Sequence, residues 1–143
     1  MLTALSIRDV VLIDRLDLSF GPGLTVLTGE TGAGKSILLD SLGLALGVRA
    51  EAGLVRAGCE QASVAACFSL STGHPVLALL AEQGLEAEDE IVLRRLVTKD
   101  GRSRAFVNSV MSRAIFEAPT IFPRELRIGE IVSEMLTKLP SLR

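Results

Sequence analysis

A glycine-rich octapeptide near the amino terminus constrains this 143-residue chain more than any other feature. Residues 29–36 read Gly-Glu-Thr-Gly-Ala-Gly-Lys-Ser and match the pattern G-x-x-x-x-G-K-[ST] at every fixed position. Glycine accepts backbone angles that other residues avoid, so such a loop can wrap around a phosphate and direct successive N–H groups inward. Because the pattern requires a strand before it and a helix after it, it predicts a strand, loop and helix in that order.

The segments on either side of the octapeptide fit that order. Residues 24–27, Leu-Thr-Val-Leu, predict a short buried strand that follows the turn at Gly21-Pro22-Gly23. Residues 36–46 are rich in leucine and lack proline, which predicts a mostly buried helix, and Gly47 is placed to end it. The octapeptide is therefore predicted to lie between a strand and the amino-terminal end of a helix.

The chemistry of this motif predicts ATP and Mg²⁺ as cofactors. The loop amides replace the water around the phosphates, and the helix that follows adds N–H donors and the positive end of its dipole. We expect the Lys35 ammonium to lie between the β- and γ-phosphate oxygens and the Ser36 hydroxyl to ligate Mg²⁺. The predicted cofactor-binding residues are Gly29, Glu30, Thr31, Gly32, Ala33, Gly34, Lys35 and Ser36, with Ser36 as the metal ligand.

The rest of the chain predicts an antiparallel, β-rich region. Alternating apolar residues predict strands, at 2–7, 16–20, 62–70, 91–97 and 103–107. Residues 75–83 predict a short helix closed by Gly84, and Asp100-Gly101 predicts a hairpin between the last two strands. From Glu125 an amphipathic pattern predicts a helix that ends before Pro140. The predicted fold class is α/β, a P-loop NTPase with an antiparallel β-rich subregion.

Composition excludes several functional classes. A net charge of −2 argues against a generally basic nucleic-acid binder, so any DNA contact must be local. Two cysteines and one histidine argue against a zinc site or a disulfide framework. The longest apolar runs are far shorter than the roughly 20 residues that a membrane-spanning helix needs. Charged residues from Arg8 to Asp17 stand where a secretory signal would be apolar, so we expect a cytoplasmic protein without a membrane partner.

A family resemblance extends the motif in both directions. The octapeptide is followed by Ile-Leu-Leu-Asp at 37–40 and preceded by Leu-Ser-Ile-Arg-Asp-Val-Val-Leu-Ile at 5–13. Further matching segments lie at 46–50, 54–58, 62–65 and 100–108. Together they resemble the amino-terminal end of the bacterial RecN family of DNA-repair proteins, which belongs to the SMC-like group of ABC-type ATPases. The resemblance covers about three quarters of the chain.

This resemblance implies an ATPase head that is split into two lobes. Residues 1–108 are expected to form the amino-terminal lobe, and residues 109–143 form an unassigned tail with the amphipathic helix. The family implies a carboxy-terminal lobe as one partner and a second head, in a homodimer that sandwiches ATP, as another. DNA is the expected partner of the full-length protein, near double-strand breaks, which implies association with the nucleoid.

Some parts of a working ATPase are missing from the sequence, so enzymatic activity of the isolated chain is left open. No acidic residue follows a predicted apolar strand to hold Mg²⁺ or to orient water, and no Leu-Ser-Gly-Gly signature is present. The acidic cluster at 86–90 precedes its strand and is interpreted as a solvated turn. The alternatives are an ABC transporter subunit, disfavoured by the lack of tyrosine, a small P-loop kinase, disfavoured by the hairpin, and an inert fragment.

Basic residues collect around the predicted hairpin, namely Arg94, Arg95, Lys99, Arg102 and Arg104. Two interpretations remain open for them. They could contact phosphate oxygens of DNA, or they could simply keep an exposed hairpin soluble.

Overall fold

The computed structural model describes residues 1–28, 32–51, 53–82, 84–85, 87–108 and 110–111. Six strands form one sheet: β1 (Leu2–Val10), β2 (Ile13–Ser19), β3 (Gln61–Ser69), β4 (Glu90–Thr98), β5 (Ser103–Val107) and β6 (Val110–Met111). Their order across the sheet is β2-β1-β3-β4-β5-β6, and every neighbouring pair is antiparallel. The predicted antiparallel β-rich region is confirmed.

The two described helices, α1 (Gly32–Ala45) and α2 (Pro75–Glu82), pack on the same face of this sheet. Side chains alternate along each strand, so every second residue points toward the helices. One core cluster joins α1 to β1 and β3 through Leu44, Ile7 and Val64, among others. The second joins α2 to β4 and β5 around Leu80 and Leu93. The helices therefore cover one face of the sheet.

Glycines end both helices in the same way. At α1, the Val48 N–H donates to the Gly43 carbonyl at 2.9 Å and the Gly47 N–H donates to the Leu44 carbonyl at 3.2 Å, with Gly47 at φ 103°. This is the Schellman pattern, which needs a left-handed residue where an L side chain is strained. Gly84 closes α2 in the same way, since its N–H donates to the Ala81 carbonyl and the Leu85 N–H donates to the Leu80 carbonyl. The prediction that Gly47 ends the helix is confirmed.

The segment predicted as a strand at residues 24–27 is not a strand, so that prediction is wrong. Leu24, Val26 and Leu27 are 59%, 68% and 42% exposed. A strand exists only where a neighbouring strand takes its backbone hydrogen bonds, and no described strand lies beside this segment. The segment has the apolar composition of a strand, but the described part of the chain holds no partner for it.

The remaining predictions differ in outcome. The five other predicted strands, the hairpin and the short helix are confirmed with small shifts at their ends, whereas α1 begins four residues before its predicted start at Ser36. The predicted amphipathic helix after Glu125 lies outside the described residues, and the division at residue 108 remains a prediction. Among the helices that the structure describes, none is both long and apolar enough to cross a membrane.

Candidate phosphate-binding site

The second half of the glycine-rich octapeptide forms the first turn of α1. The helix begins at Gly32, so Gly34, Lys35 and Ser36 lie within its first turn and a half. Ala33 belongs to the same turn, and Gly29, Glu30 and Thr31 lie outside the described residues. The structure thus places the Gly-Lys-Ser end of the motif at a helix amino terminus.

This helix end has the donor chemistry that a phosphate requires. The first N–H groups of a helix have no partner within the helix, and its dipole is positive there. The first turn of α1 contains no acidic residue that would repel an anion. Lys35 is half-buried, Ser36 is exposed, and no described atom lies within 4 Å of a Cβ built on Gly34. The described residues therefore fit a nucleotide phosphate, with a hydroxyl on Ser36 of the type that ligates Mg²⁺.

The other end of α1 holds the helix in place. Leu44 and Ala45 are buried against the sheet, in the cluster that contains Ile7 and Val64. Ser41 is also buried on this side. This packing of the carboxy-terminal half sets the direction of α1 relative to the sheet.

The basic cluster around the hairpin is divided by the structure. Arg95 points to the helix-covered face, is 2% exposed, and donates from Nη2 to the Ser103 Oγ at 3.1 Å. Burial lowers the pKa of this guanidinium. Its neighbour Arg94 is exposed on the opposite face, as is Arg104. Strand alternation alone could have separated Arg94 from Arg95, because adjacent residues of a strand face opposite sides.

The two remaining basic residues of the hairpin lie at its turn and are paired. Lys99 contacts Glu60, and the Arg102 Nε lies 3.2 Å from an Asp100 carboxylate oxygen. Asp100 itself accepts from the Thr98 hydroxyl, which, as the largest effect, holds the pKa of that carboxyl below its usual value. The turn is therefore close to charge-neutral.

The acidic residues before β4 line a shallow depression of about 310 Å³, together with Ala87, Val92 and Asn108. Glu88 and Asp89 are exposed, as predicted for a solvated turn, whereas Glu90 is the exposed first residue of β4 and Glu86 lies outside the described residues. Carboxylates repel phosphate, so this depression is not a second nucleotide site. The described residues contain no group of three or more His, Cys, Asp or Glu side chains placed to hold a metal ion.

Both thiols are held by carboxylates. The Cys59 Sγ donates to Asp9 Oδ1 at 3.3 Å, and the Cys67 Sγ donates to the Glu90 carboxylate. The hydrogen bond to Asp9 raises the pKa of Cys59, and desolvation followed by the bond to Glu90 raises the pKa of Cys67. Because the thiolate is the reactive form, neither cysteine has the properties of a nucleophile or a metal ligand.

Comparison with known proteins adds a family to this geometry. A family model described as an AAA domain matches residues 4–112, a range that includes the octapeptide and residues from all six strands. The chain belongs to this AAA-domain family. The P-loop ATPase fold class predicted from the octapeptide is confirmed.

The individual relatives of the chain include bacterial DNA-repair proteins. The chain is 46% identical over 112 residues to the DNA repair protein RecN of Haemophilus influenzae, covering 76% of this chain and 20% of that protein. It is 49% identical over 109 residues to RecN of Bacillus subtilis, covering 76% of this chain and 19% of that protein. The RecN resemblance is confirmed, and the chain spans about a fifth of the length of these relatives.

A solved structure gives the fold. The chain aligns with an SMC ATPase at a TM-score of 0.64 and 24% identity, over 99% of this chain and 93% of that one. That ATPase was solved to describe ATP-driven dimerization and DNA-stimulated activation of SMC ATPases. The antiparallel sheet with α1 on one face is therefore the fold of an SMC-type ATPase.

Proposed function

We propose that this chain is the ATP-binding lobe of a RecN-like ATPase that acts in DNA double-strand break repair and recombination. The observation that supports this most strongly is the Gly-Lys-Ser end of the octapeptide on the first turn of α1, in a chain 46% identical to a RecN over 112 residues. The transporter alternative is not favoured, because the matched relatives are DNA-repair proteins.

In this proposal each residue of the octapeptide has a separate task. The backbone from Gly29 to Gly34 surrounds the phosphates, and the N–H groups at the start of α1 donate to their oxygens. The Lys35 ammonium neutralises charge between the β- and γ-phosphates. The Ser36 hydroxyl holds Mg²⁺, which when bound bridges phosphate oxygens and offsets their charge.

Exposed apolar residues support the proposed partner lobe. Leu24, Val26 and Leu27 lie just before the octapeptide, and Leu39 on α1 is 44% exposed. Such residues are usually covered when they occur together. Since the chain spans about a fifth of its relatives, we assign their cover to the carboxy-terminal lobe of the same head. Their burial there would complete the strand that the sequence predicts at 24–27.

The larger assembly is also part of the proposal. By analogy with the SMC ATPases, for which ATP-driven dimerization is described, a second head would close over the nucleotide in a homodimer. The full-length protein would contact DNA in the cytoplasm, at the nucleoid. The isolated chain would bind ATP but hydrolyse it weakly or not at all, because its sequence lacks the metal-binding and water-orienting acids.

The decisive measurement is binding of a fluorescent ATP analogue with and without Mg²⁺. Lys35→Ala should weaken binding about 10- to 100-fold, since a hydrogen bond to a charged group contributes about 1.5–3 kcal/mol. The matched control is Lys99→Ala, which removes a lysine paired with Glu60 and should leave affinity unchanged. Ser36→Ala should remove most of the Mg²⁺-dependent part of the affinity.

Two results would contradict the proposal. Equal affinity in the wild-type chain and Lys35→Ala, with both folded by circular dichroism, would remove the phosphate-binding role. Absence of binding by a folded wild-type chain would support the inert fragment instead. Rapid ATP turnover that Lys35→Ala abolishes would keep the site but overturn the expectation of weak hydrolysis.

A further inference from the structure

The face of the sheet that points away from α1 and α2 carries four arginines around a centre of small side chains. The strand register aligns Arg15, Arg8, Ser63, Leu96 and Arg104 in one row across five strands. The next row contains Asp17, Ser6, Ala65, Arg94 and Phe106. We call this surface, formed by these two rows, the open face.

The arginines of the open face differ in what they contact. Arg8 donates twice to Asp17, at 2.7 and 2.9 Å, and Arg15 Nε lies 3.1 Å from the same carboxylate. Among the described residues, Arg94 and Arg104 are in no salt bridge, and both are exposed. Arg8 and Arg15 share one carboxylate and leave one positive charge on β1 and β2, whereas Arg94 and Arg104 leave two on β4 and β5.

Arg94 is held in a fixed orientation. Its guanidinium carbon lies 4.4 Å from the centroid of the Phe106 ring, in the cross-strand position that the register gives these two residues. Stacking of this kind restricts a long side chain while its N–H groups remain directed outward, which lowers the entropy lost on binding. Arg104 lies on the neighbouring strand β5, two residues before Phe106. Its Cα is therefore diagonal to that of Arg94, at a distance of about 7–8 Å.

We propose that the open face contacts the phosphate backbone of DNA through Arg94 and Arg104, with Arg15 at its far side. The proposal rests on the proposed function and assigns a surface to its DNA partner. Two arginines about 7–8 Å apart can each reach a different phosphate of one DNA strand, whose charges recur every 3.4 Å along the helix axis. The small side chains of Ser63 and Ala65 leave the middle of the face shallow, so a DNA backbone can approach it.

The charge of the open face, rather than any apolar surface, indicates that DNA is the molecule that binds there. None of the large apolar side chains that are exposed in the described chain lies on the open face; they are Met1, Val11, Leu12, Leu24, Val26, Leu27, Leu39 and Val48. The two large apolar side chains of the face, Leu96 and Phe106, are half-buried, so a protein partner would find little exposed apolar surface at its centre. The single ring, Phe106, is already covered by Arg94, so base stacking does not dominate. The one carboxylate of the two rows, Asp17, is paired with Arg8 and Arg15, so the open face carries a net positive charge.

The test is the salt dependence of DNA binding by the 143-residue chain. Fluorescence anisotropy would follow a labelled duplex of about 20 base pairs and its single strand from about 20 to about 200 mM NaCl, without nucleotide. Each phosphate contact contributes about 0.9 to the slope of log K against log salt for a duplex and about 0.7 for a single strand. The double variant Arg94→Gln/Arg104→Gln should therefore reduce the slope by about 1.8 on duplex and about 1.4 on single strand.

The matched control removes the same charge elsewhere on the same hairpin. Lys99→Gln/Arg102→Gln deletes two ion-paired cations at the turn and should leave the slope unchanged. Arg94→Lys/Arg104→Lys keeps the charge and should retain most of the slope, which separates lost charge from a damaged fold. Thermal unfolding of each variant checks that the sheet is intact.

An unchanged salt slope in Arg94→Gln/Arg104→Gln would overturn the proposal. An equal reduction of the slope in the control Lys99→Gln/Arg102→Gln would overturn it as well. Failure of the folded wild-type chain to bind either DNA at the lowest salt concentration would overturn it too. The same variants should bind the ATP analogue normally. If they bind the analogue normally and the salt slope is unchanged, only the DNA contact of the open face is rejected. The phosphate-binding site is tested separately by Lys35→Ala.

Discussion

The two ends of α1 differ in what completes them. Its carboxy-terminal end is closed by the Gly47 turn and buried through Leu44, which belongs to the same cluster as Ile7 and Val64. We call this end, with the antiparallel sheet, the packed half. Its amino-terminal end follows the exposed residues 24–27 and starts inside the glycine-rich octapeptide, and we call these parts the open half. One helix therefore joins a region that is complete to one that is not.

The difference shows which interactions hold the fold and which are reserved for function. In the packed half, each inner strand pairs with two neighbours and helix carbonyls are met by the Gly47 turn, so most of the backbone hydrogen bonds are formed within the described chain. In the open half, the first N–H groups of α1 have no partner within the helix and several apolar side chains are exposed, which suits contact with a phosphate and with the proposed second lobe. Stability should therefore depend on the packed half, and binding on the open half.

The largest expected effect comes from truncating one apolar residue in each half. Ile7→Ala empties a site on β1 that is 0% exposed and should lower the free energy of unfolding by about 2–5 kcal/mol. Val26→Ala removes two methyl groups at a site that is 68% exposed. It should change the free energy of unfolding by no more than about 0.5 kcal/mol. Urea titrations followed by circular dichroism measure both.

Similar losses in the two variants would break the comparison, because residues 24–27 would then be packed in solution. Addition of the proposed carboxy-terminal lobe should change only the second result. In a full-length head, Val26→Ala should become costly, whereas Ile7→Ala should cost the same.

A smaller effect should have opposite signs at the two ends of α1. Gly47→Ala places a side chain at φ 103° and should lower stability by about 1–2 kcal/mol, since the left-handed conformation costs that much for an L residue. Gly34→Ala meets no described atom within 4 Å and should raise stability by up to about 1 kcal/mol, because alanine favours the helix. Thermal unfolding compares them.

Gly34→Ala should also weaken binding of the ATP analogue, because its Cβ would lie where we propose that a phosphate binds. A stabilised Gly34→Ala that binds the analogue as well as the wild type would contradict the assignment of this turn. Destabilisation by both variants would show that the amino-terminal turn is as tightly constrained as the carboxy-terminal one.

The packed half is well predicted from the sequence because its signals are local. Alternation indicates the strands, Asp100-Gly101 marks the hairpin, and Gly47 marks the helix end, and all of these depend on a few adjacent residues. The adjacent positions of Arg94 and Arg95 also imply opposite faces, although a count of charges treats them as one cluster.

The open half is predicted less well because residues 24–27 have no packing partner within the described chain. Residues 24–27 have the composition of a buried strand, but composition does not say whether a neighbouring strand is present in the described chain. The leucine-rich pattern starts α1 at Ser36, since Gly32 and Gly34 have low helix propensity and only the tertiary fold extends the helix through them. For the candidate site, the motif predicts the residues and their chemistry, and the structure adds the position of Gly34, Lys35 and Ser36 on the helix.

The smallest effect tests whether the packed half extends to the open face of its own sheet. Hydrogen bonds from Arg8, then Ser6, lower the pKa of Asp17 from 3.8 to about 2. A carboxyl with a lowered pKa in the folded state stabilises the protein above its unfolded value and loses that contribution as the pH falls through the folded value. The difference in stability between the wild-type chain and Asp17→Asn should thus be constant above about pH 5 and shrink between about pH 4 and 2. Urea midpoints of both proteins across that range measure it, with Asp40→Asn, which removes an exposed carboxylate of α1, as the control. A difference that does not vary with pH would mean that Arg8 and Asp17 are not paired in solution, and the packed half would then end at the helix-covered side of the sheet.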